Sequence, residues 1–218
     1  MADRPIIFSG AMVRALLAGR KTQTRRLIKP RGKGPSLFDG GWSDSYILDP
    51  GNADWRAQDL RYAIGDRLYV RENWRVSPEA CEGWRPEDPR GWIDYQAGGS
   101  LEVIAPSFEA VDRATFLKGE DHDWDFIPSR YRPCIHMPRW ASRLTLLVDD
   151  VRVERLQAIS EADAIAEGVE HHGGSDGPVA EFAALWESLH GPESWDANPW
   201  AVVIEFKTVK GNIDDCAG

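Results

Sequence analysis

Residues 19–26 read Gly-Arg-Lys-Thr-Gln-Thr-Arg-Arg and gather an amine, two hydroxyls and three guanidiniums in one short stretch. A hydroxyl beside an amine that can shed its proton is enough to attack a carbonyl. Thr24 would supply the oxygen and Lys21 the base. Lys21 serves only if part of it is neutral. Repulsion from Arg20, Arg25 and Arg26 lowers its pKa, and desolvation in a pocket pushes the same way. Strand geometry sets a condition, because residues 21 and 24 point to opposite faces of an ideal strand. They converge only where the segment turns or bulges. The plain alternative is a solvated basic strand edge.

Glu167 is the second oddity. It falls in the last turn of an expected helix, just before Gly168, where the helix dipole disfavours a negative charge. The same dipole raises a carboxyl pKa, which suits a group that gives a proton to a leaving amine. A surface Glu at a fraying helix end is the bland alternative. Arg139, Trp140, Trp195, Asn198 and Trp200 could line a pocket for a base, Trp by stacking and Asn by reading the edge; Trp140 and Trp200 are equally credible as core anchors. Metal sets are weak. His171-His172 with Asp176 lie in a Gly-rich loop, Asp121, His122, Asp123 and Asp125 fit no standard cation loop, and Pro133-Cys134 is half of a zinc deaminase signature without its other half. No metal and no cofactor is required.

Around this chemistry the charge is uneven. From Arg4 to Phe38 there are nine Lys or Arg and no Asp or Glu, although the whole chain carries a net charge of −9. Such a field draws an anionic or electron-rich ligand to one place. The overall negative charge argues against non-specific gripping of long nucleic acid, which needs an extended basic surface. Three Cys, with no CxxC pair, suggest neither a disulfide framework nor a zinc ribbon. No apolar run reaches the roughly 18–20 residues of a membrane span, and the start is too short and polar for a secretory signal. A cytoplasmic protein without a membrane partner is expected.

The positioning elements follow from periodicity. Pro5–Phe8 reads as a strand, and Ser9 caps a helix over Ala11–Ala18 with Met12, Ala15 and Leu16 inward and Gly19 as its stop. Lys21–Ile28 is extended or turning. Gly65-Asp66 turns into a half-buried strand carrying Leu68 and Val70, a long strand spans Leu144–Leu156, with Asp149-Asp150 marking a bulge or bend, and Trp200–Lys207 is the last strand. Ser160 caps a helix with Ala162, Ile165, Ala166 and Val169 facing inward, and a second helix covers Val179–Leu189. Lys29–Ala63 is loop with little regular structure, and Pro78–Ser129 is irregular with one hairpin around Trp92–Ile104. The pattern predicts an α+β fold built on a small barrel or curled sheet. It forms one domain over 1–209, with insertions at about 29–63 and 78–129 and a flexible tail at 210–218. About two-thirds of the ten Trp are expected in the core or under loops.

Leu16-Leu17-Ala18-Gly19-Arg20-Lys21-Thr22-Gln23-Thr24-Arg25, Gly65–Val70, Val151–Val169 and Val202–Lys207 together resemble the ASCH family. Ile135–Arg143 and Trp195–Trp200 resemble its larger, phage-associated members. The resemblance covers about half of the chain. It implies a PUA-like fold, a small β-barrel flanked by helices. It also implies, from a compact bacterial branch, hydrolysis of the N4-acyl amide of acetylated cytidine by Lys21, Thr24 and Glu167, giving cytidine and a carboxylic acid. Arg26, Arg139, Trp140, Asn198 and Trp200 are the candidate substrate contacts. The partner is then a small nucleoside; a non-catalytic module binding RNA or a modified nucleotide is the rival, and a structural role in phage assembly is a third. The oligomeric state is not legible.

Overall fold

Ser9 caps α1 (Gly10–Leu17) by accepting from the Met12 N–H, and Gly19, at φ +71°, turns the chain after it. The inward face is Val13, Ala15 and Leu16, so Val13 takes the place expected for Met12. The structure is a computed structural model and describes residues 1–29, 35–78, 84–117, 119–124, 127–170 and 177–215. Packing divides the chain into two compact units. One holds Gly19–Asp66 and Val148–Lys207 with Met1; the other holds Ala2–Ala18, Arg67–Leu147 and Thr208–Gly218.

In the second of these units β1 (Asp3–Ile7) runs parallel to β3 (Arg67–Arg71), from Asp3↔Arg67 to Ile7↔Arg71. β3 pairs antiparallel with the start of β7 (Leu144–Arg155). β4 (Trp74–Val76), β5 (Arg90–Tyr95) and β6 (Ser100–Ile104) form an antiparallel sheet of three. α4 (Phe108–Thr115), capped by Ser107, follows. Trp74, Trp84, Ile93, Tyr95, Val111 and Met137 form the core there. Gly91 is required beneath Trp84, because a Cβ at that position would overlap the indole ring. The segment 78–129 is therefore more regular than its Pro content suggests, with the expected hairpin joined by β4 and α4. The chain past Lys210 is held rather than frayed as far as it is described. Ile213 is buried, and Asn212 donates to the Arg139 and Ser142 carbonyls.

In the other unit β2 (Gln23–Leu27) pairs antiparallel with β8 (Trp200–Lys210). α2 (Asp44–Leu48) and α3 (Ala53–Asp59) occupy the segment expected to be loop. They are five and seven residues long, too short for periodicity to reveal them, and Ile47 is anchored with Leu37 and Trp200. α5 (Glu161–Ala166) and α6 (Gly177–His190) share a cluster of Leu156, Ile159, Ala164, Phe182 and Trp186. The inward face of α5 is only partly the expected one: Ala166 is half-buried and Val169 packs against the cluster, but Ile165 and Ala162 are exposed, whereas Ala164 and the Glu167 beyond the helix end are buried. A six-residue helix is too short for periodicity to fix its phase.

The strand order is β1-β3-β7-β8-β2, with β1 and β2 as edges. The fold is α+β as expected, but the sheet is open and not the closed small barrel. β7 runs without a break through Asp149-Asp150. No helix among the described residues is long and apolar enough to cross a membrane.

Candidate active site

A capping box starts α5: the Ser160 hydroxyl accepts from the Asp163 N–H, and the Asp163 carboxylate accepts from the Ser160 N–H. The helix ends at Glu167, its C-cap, and Gly168 at φ +86° redirects the chain. The Thr22 N–H donates to Ala166 O at 2.9 Å, and the Thr22 carbonyl accepts from the Phe206 N–H at 3.0 Å. These bonds hold the entry to β2 against the end of α5 and the adjoining strand. Lys21 therefore precedes the first ladder residue, Gln23, and strand alternation does not dictate its direction.

Lys21 is 2% exposed, and its Nζ donates to both the carbonyl and the carboxylate of Glu167, at 2.6 Å and 2.9 Å. Burial lowers the Lys21 pKa below its ordinary value. Glu167 opposes this, while Arg26 and Arg25 reinforce it. Desolvation thus outranks the like-charge repulsion expected from sequence. Arg20 takes no part, being paired with Glu170 at the surface.

Strand alternation separates the next four residues. Gln23 and Arg25 share one face, Thr24 and Arg26 the other. The Arg25 guanidinium is fully buried and meets three carboxylates: Glu154 at 2.9 Å, Asp163 at 3.4 Å and Glu167 at 3.5 Å. Arg152 joins from β7, donating to Glu154 at 2.6 Å, to Asp163 and Gln23 at 3.1 Å each, and to Glu205. Thr24 stands opposite Ile204 in the ladder, 3% exposed. Its hydroxyl makes no hydrogen bond among the described residues. Arg26, on the same face, has its pKa lowered by burial, with Tyr62 and Glu167 opposing the shift.

Lys21, Thr24, Glu167 and Arg26 all lie in the unit built from Gly19–Asp66 and Val148–Lys207. The other candidates have packing roles. Arg139 belongs to the second unit, where Asp3 and Asp214 bind its guanidinium. Trp140 packs edge-on against Trp74 and Trp84 in that unit's core. Asn198, at φ +41°, staples a turn: its Oδ1 accepts from the Gln157 N–H at 2.9 Å. Trp200 is buried under Phe38, with the Arg155 guanidinium 4.4 Å from its ring centroid. Trp195 packs edge-on against Phe182.

Sequence reading treated Arg25 only as a neighbouring charge and missed Arg152, Glu154 and Asp163. The usable signal was alternation, Gln23/Arg25 on β2 and Arg152/Glu154 on β7, with Asp163 and Glu167 one helical turn apart. His122 binds Asp112 at 2.7 Å and stacks on Phe116. Cys134 is a free thiol. Among the described residues no three His, Cys, Asp or Glu are grouped to hold a metal ion. His171, His172, Asp176, Asp125, Cys81 and Cys216 lie outside the described residues. Comparison with known protein families, curated proteins and solved structures found no match.

Proposed function

We propose that this chain is a PUA-like amidohydrolase that cleaves the N4-acyl amide of acylated cytosine nucleosides. The observation that carries the reading is the buried Lys21–Glu167 pair at the entry to β2, three residues before Thr24, which is itself 3% exposed. Burial disfavours the ammonium form of Lys21, so the site can present a neutral amine. When Lys21 is neutral, Glu167 still has the Arg25 guanidinium as a counter-charge. The carboxylate is not left alone in a low-dielectric site.

The steps are acyl transfer and then hydrolysis. Thr24 Oγ1 bonds to the acyl carbon as Lys21 Nζ takes its proton. The C–N4 bond breaks, cytidine leaves as the free amine, and the proton returns to N4 through Lys21 with Glu167 as its relay. Water then cleaves the Thr24 ester and releases the carboxylic acid. Arg26, on the Thr24 face, is placed to orient the substrate or polarise its carbonyl. No cofactor enters.

The test is conversion of N4-acetylcytidine to cytidine, followed by chromatography. Thr24→Ala should lower kcat by about 1,000-fold or more, while Thr24→Ser keeps part of the activity. An unchanged rate in Thr24→Ala would rule out the nucleophile. Wild-type protein that binds the nucleoside without turning it over would make the chain a recognition module for a modified nucleotide or RNA.

A further inference from the structure

The carboxylates around Arg25 are divided between cations in a regular way. Glu167 gives Oε2 to Lys21 and Oε1 to Arg25. Glu154 gives Oε2 to Arg25 and Oε1 to Arg152. Asp163 gives Oδ2 to Arg25 and Oδ1 to Arg152. Among the described residues Arg25 is the one cation shared by all three. It is contributed by β2, the strand that carries Thr24, and it reaches Glu167 on the far side from Lys21. The planar fork of a guanidinium can meet several carboxylates at fixed angles, which an ammonium cannot do.

We propose that Arg25 is a positioning residue for the candidate site, a buried bracket that fixes the Glu167 carboxylate and thereby sets when Lys21 gives up its proton. This rests on the amidohydrolase reading for its catalytic meaning, but the bracket itself does not. Among the described residues, the charged groups that act on Lys21 include Glu167 from the end of α5 and Arg25 and Arg26 from β2. Those facing Arg25 are Glu154 from β7, and Asp163 and Glu167 from α5. Burial opposes it, but the Asp163 pKa is held low by the hydrogen bonds from the Ser160 hydroxyl and N–H, with Arg25 and Arg152 adding to them.

The experiment follows the Lys21 side chain by NMR as pH rises, in full-length wild type, Arg25→Gln, Arg25→Lys and Glu154→Gln. It is paired with kcat and KM on N4-acetylcytidine. Arg25→Gln removes a positive neighbour and should move the Lys21 midpoint up by about one pH unit, with the rising limb of the pH–rate profile moving by the same amount. Arg25→Lys keeps the charge and loses the fork. Its midpoint should stay near that of wild type while kcat falls about 10-fold and KM changes little. Glu154→Gln removes one tether, leaves Arg25 freer to turn onto Glu167, and should lower the midpoint. It decides the matter by titration should Arg25→Gln fail to fold. An unmoved midpoint in Arg25→Gln and Glu154→Gln overturns the bracket. Wild-type kcat in a destabilised Arg25→Lys also overturns it, by reducing Arg25 to a fold-holding role. Wild-type protein without turnover sinks the amidohydrolase reading alone, since the Lys21 titration still decides whether Arg25 governs its proton.

Discussion

Lys21 is the residue on which the proposed chemistry turns, and its burial has a consequence measurable without any substrate. Its folded pKa lies below the unfolded value of about 10.5, so between the two the unfolded chain holds more protons. Stability then rises with pH across that window. Below the folded value the shift is a fixed cost, and it is relieved as pH climbs toward 10.5. Urea melts of wild type and Lys21→Met from pH 7 to 10.5 should show wild type gaining stability relative to the variant as pH increases. A flat or falling difference would mean that the amine is not desolvated as the fold implies. The same ascending limb should appear in kcat/KM below pH 10.5.

At the scale of elements, the candidate site depends on one short helix. α5 has only six residues and cannot persist on propensity alone. Its capping box and the Ala164 contact with Phe182 and Trp186 hold it in place. Asp163 works at both ends of this arrangement, capping the helix through Ser160 and accepting from Arg152. Ser160→Ala should therefore cost about 1 kcal/mol in a thermal or urea melt. It should also speed amide exchange at Ala164 and Glu167 more than in α6. Exchange unchanged along α5 would show that packing alone fixes the helix. Much of this level was legible: the Ser160 cap, the Gly19 stop and the β7 strand are local signals, while Lys21–Ile28 read only as extended or turning. The phase of α5 was not, because two exposed apolar residues, Ala162 and Ile165, imitate an inward face.

The whole chain threads its two units repeatedly, passing from one to the other after residues 1, 18, 66, 147 and 207. Residues 67–147 hold most of one core but not β1, which supplies five paired residues to β3, nor Ile213. A fragment of 67–147 expressed alone should lack a cooperative melt, since β3 would be left with an open, partly buried edge. A sharp melt equal to that of the full chain would show that the sheet of β4, β5 and β6 suffices. The basic stretch from Arg4 to Phe38 also changes meaning at this scale. Lys21 and Arg25 are matched by carboxylates inside the unit, and Arg20 by Glu170, so part of the field expected to attract an anion is neutralised within the fold.

Sequence by itself determined the α+β class, the caps and strands that frame the site, and three residue types suited to amide chemistry, because these are set by local periodicity and side-chain functional groups. Only the tertiary structure decided that Lys21 meets Glu167 and that Arg25 holds three carboxylates. It also decided that Arg139, Trp140, Asn198 and Trp200 serve packing and turns. Those outcomes depend on which faces of separate strands and helices meet. In the sequence Lys21 and Glu167 stand 146 positions apart, a separation over which no local pattern carries information.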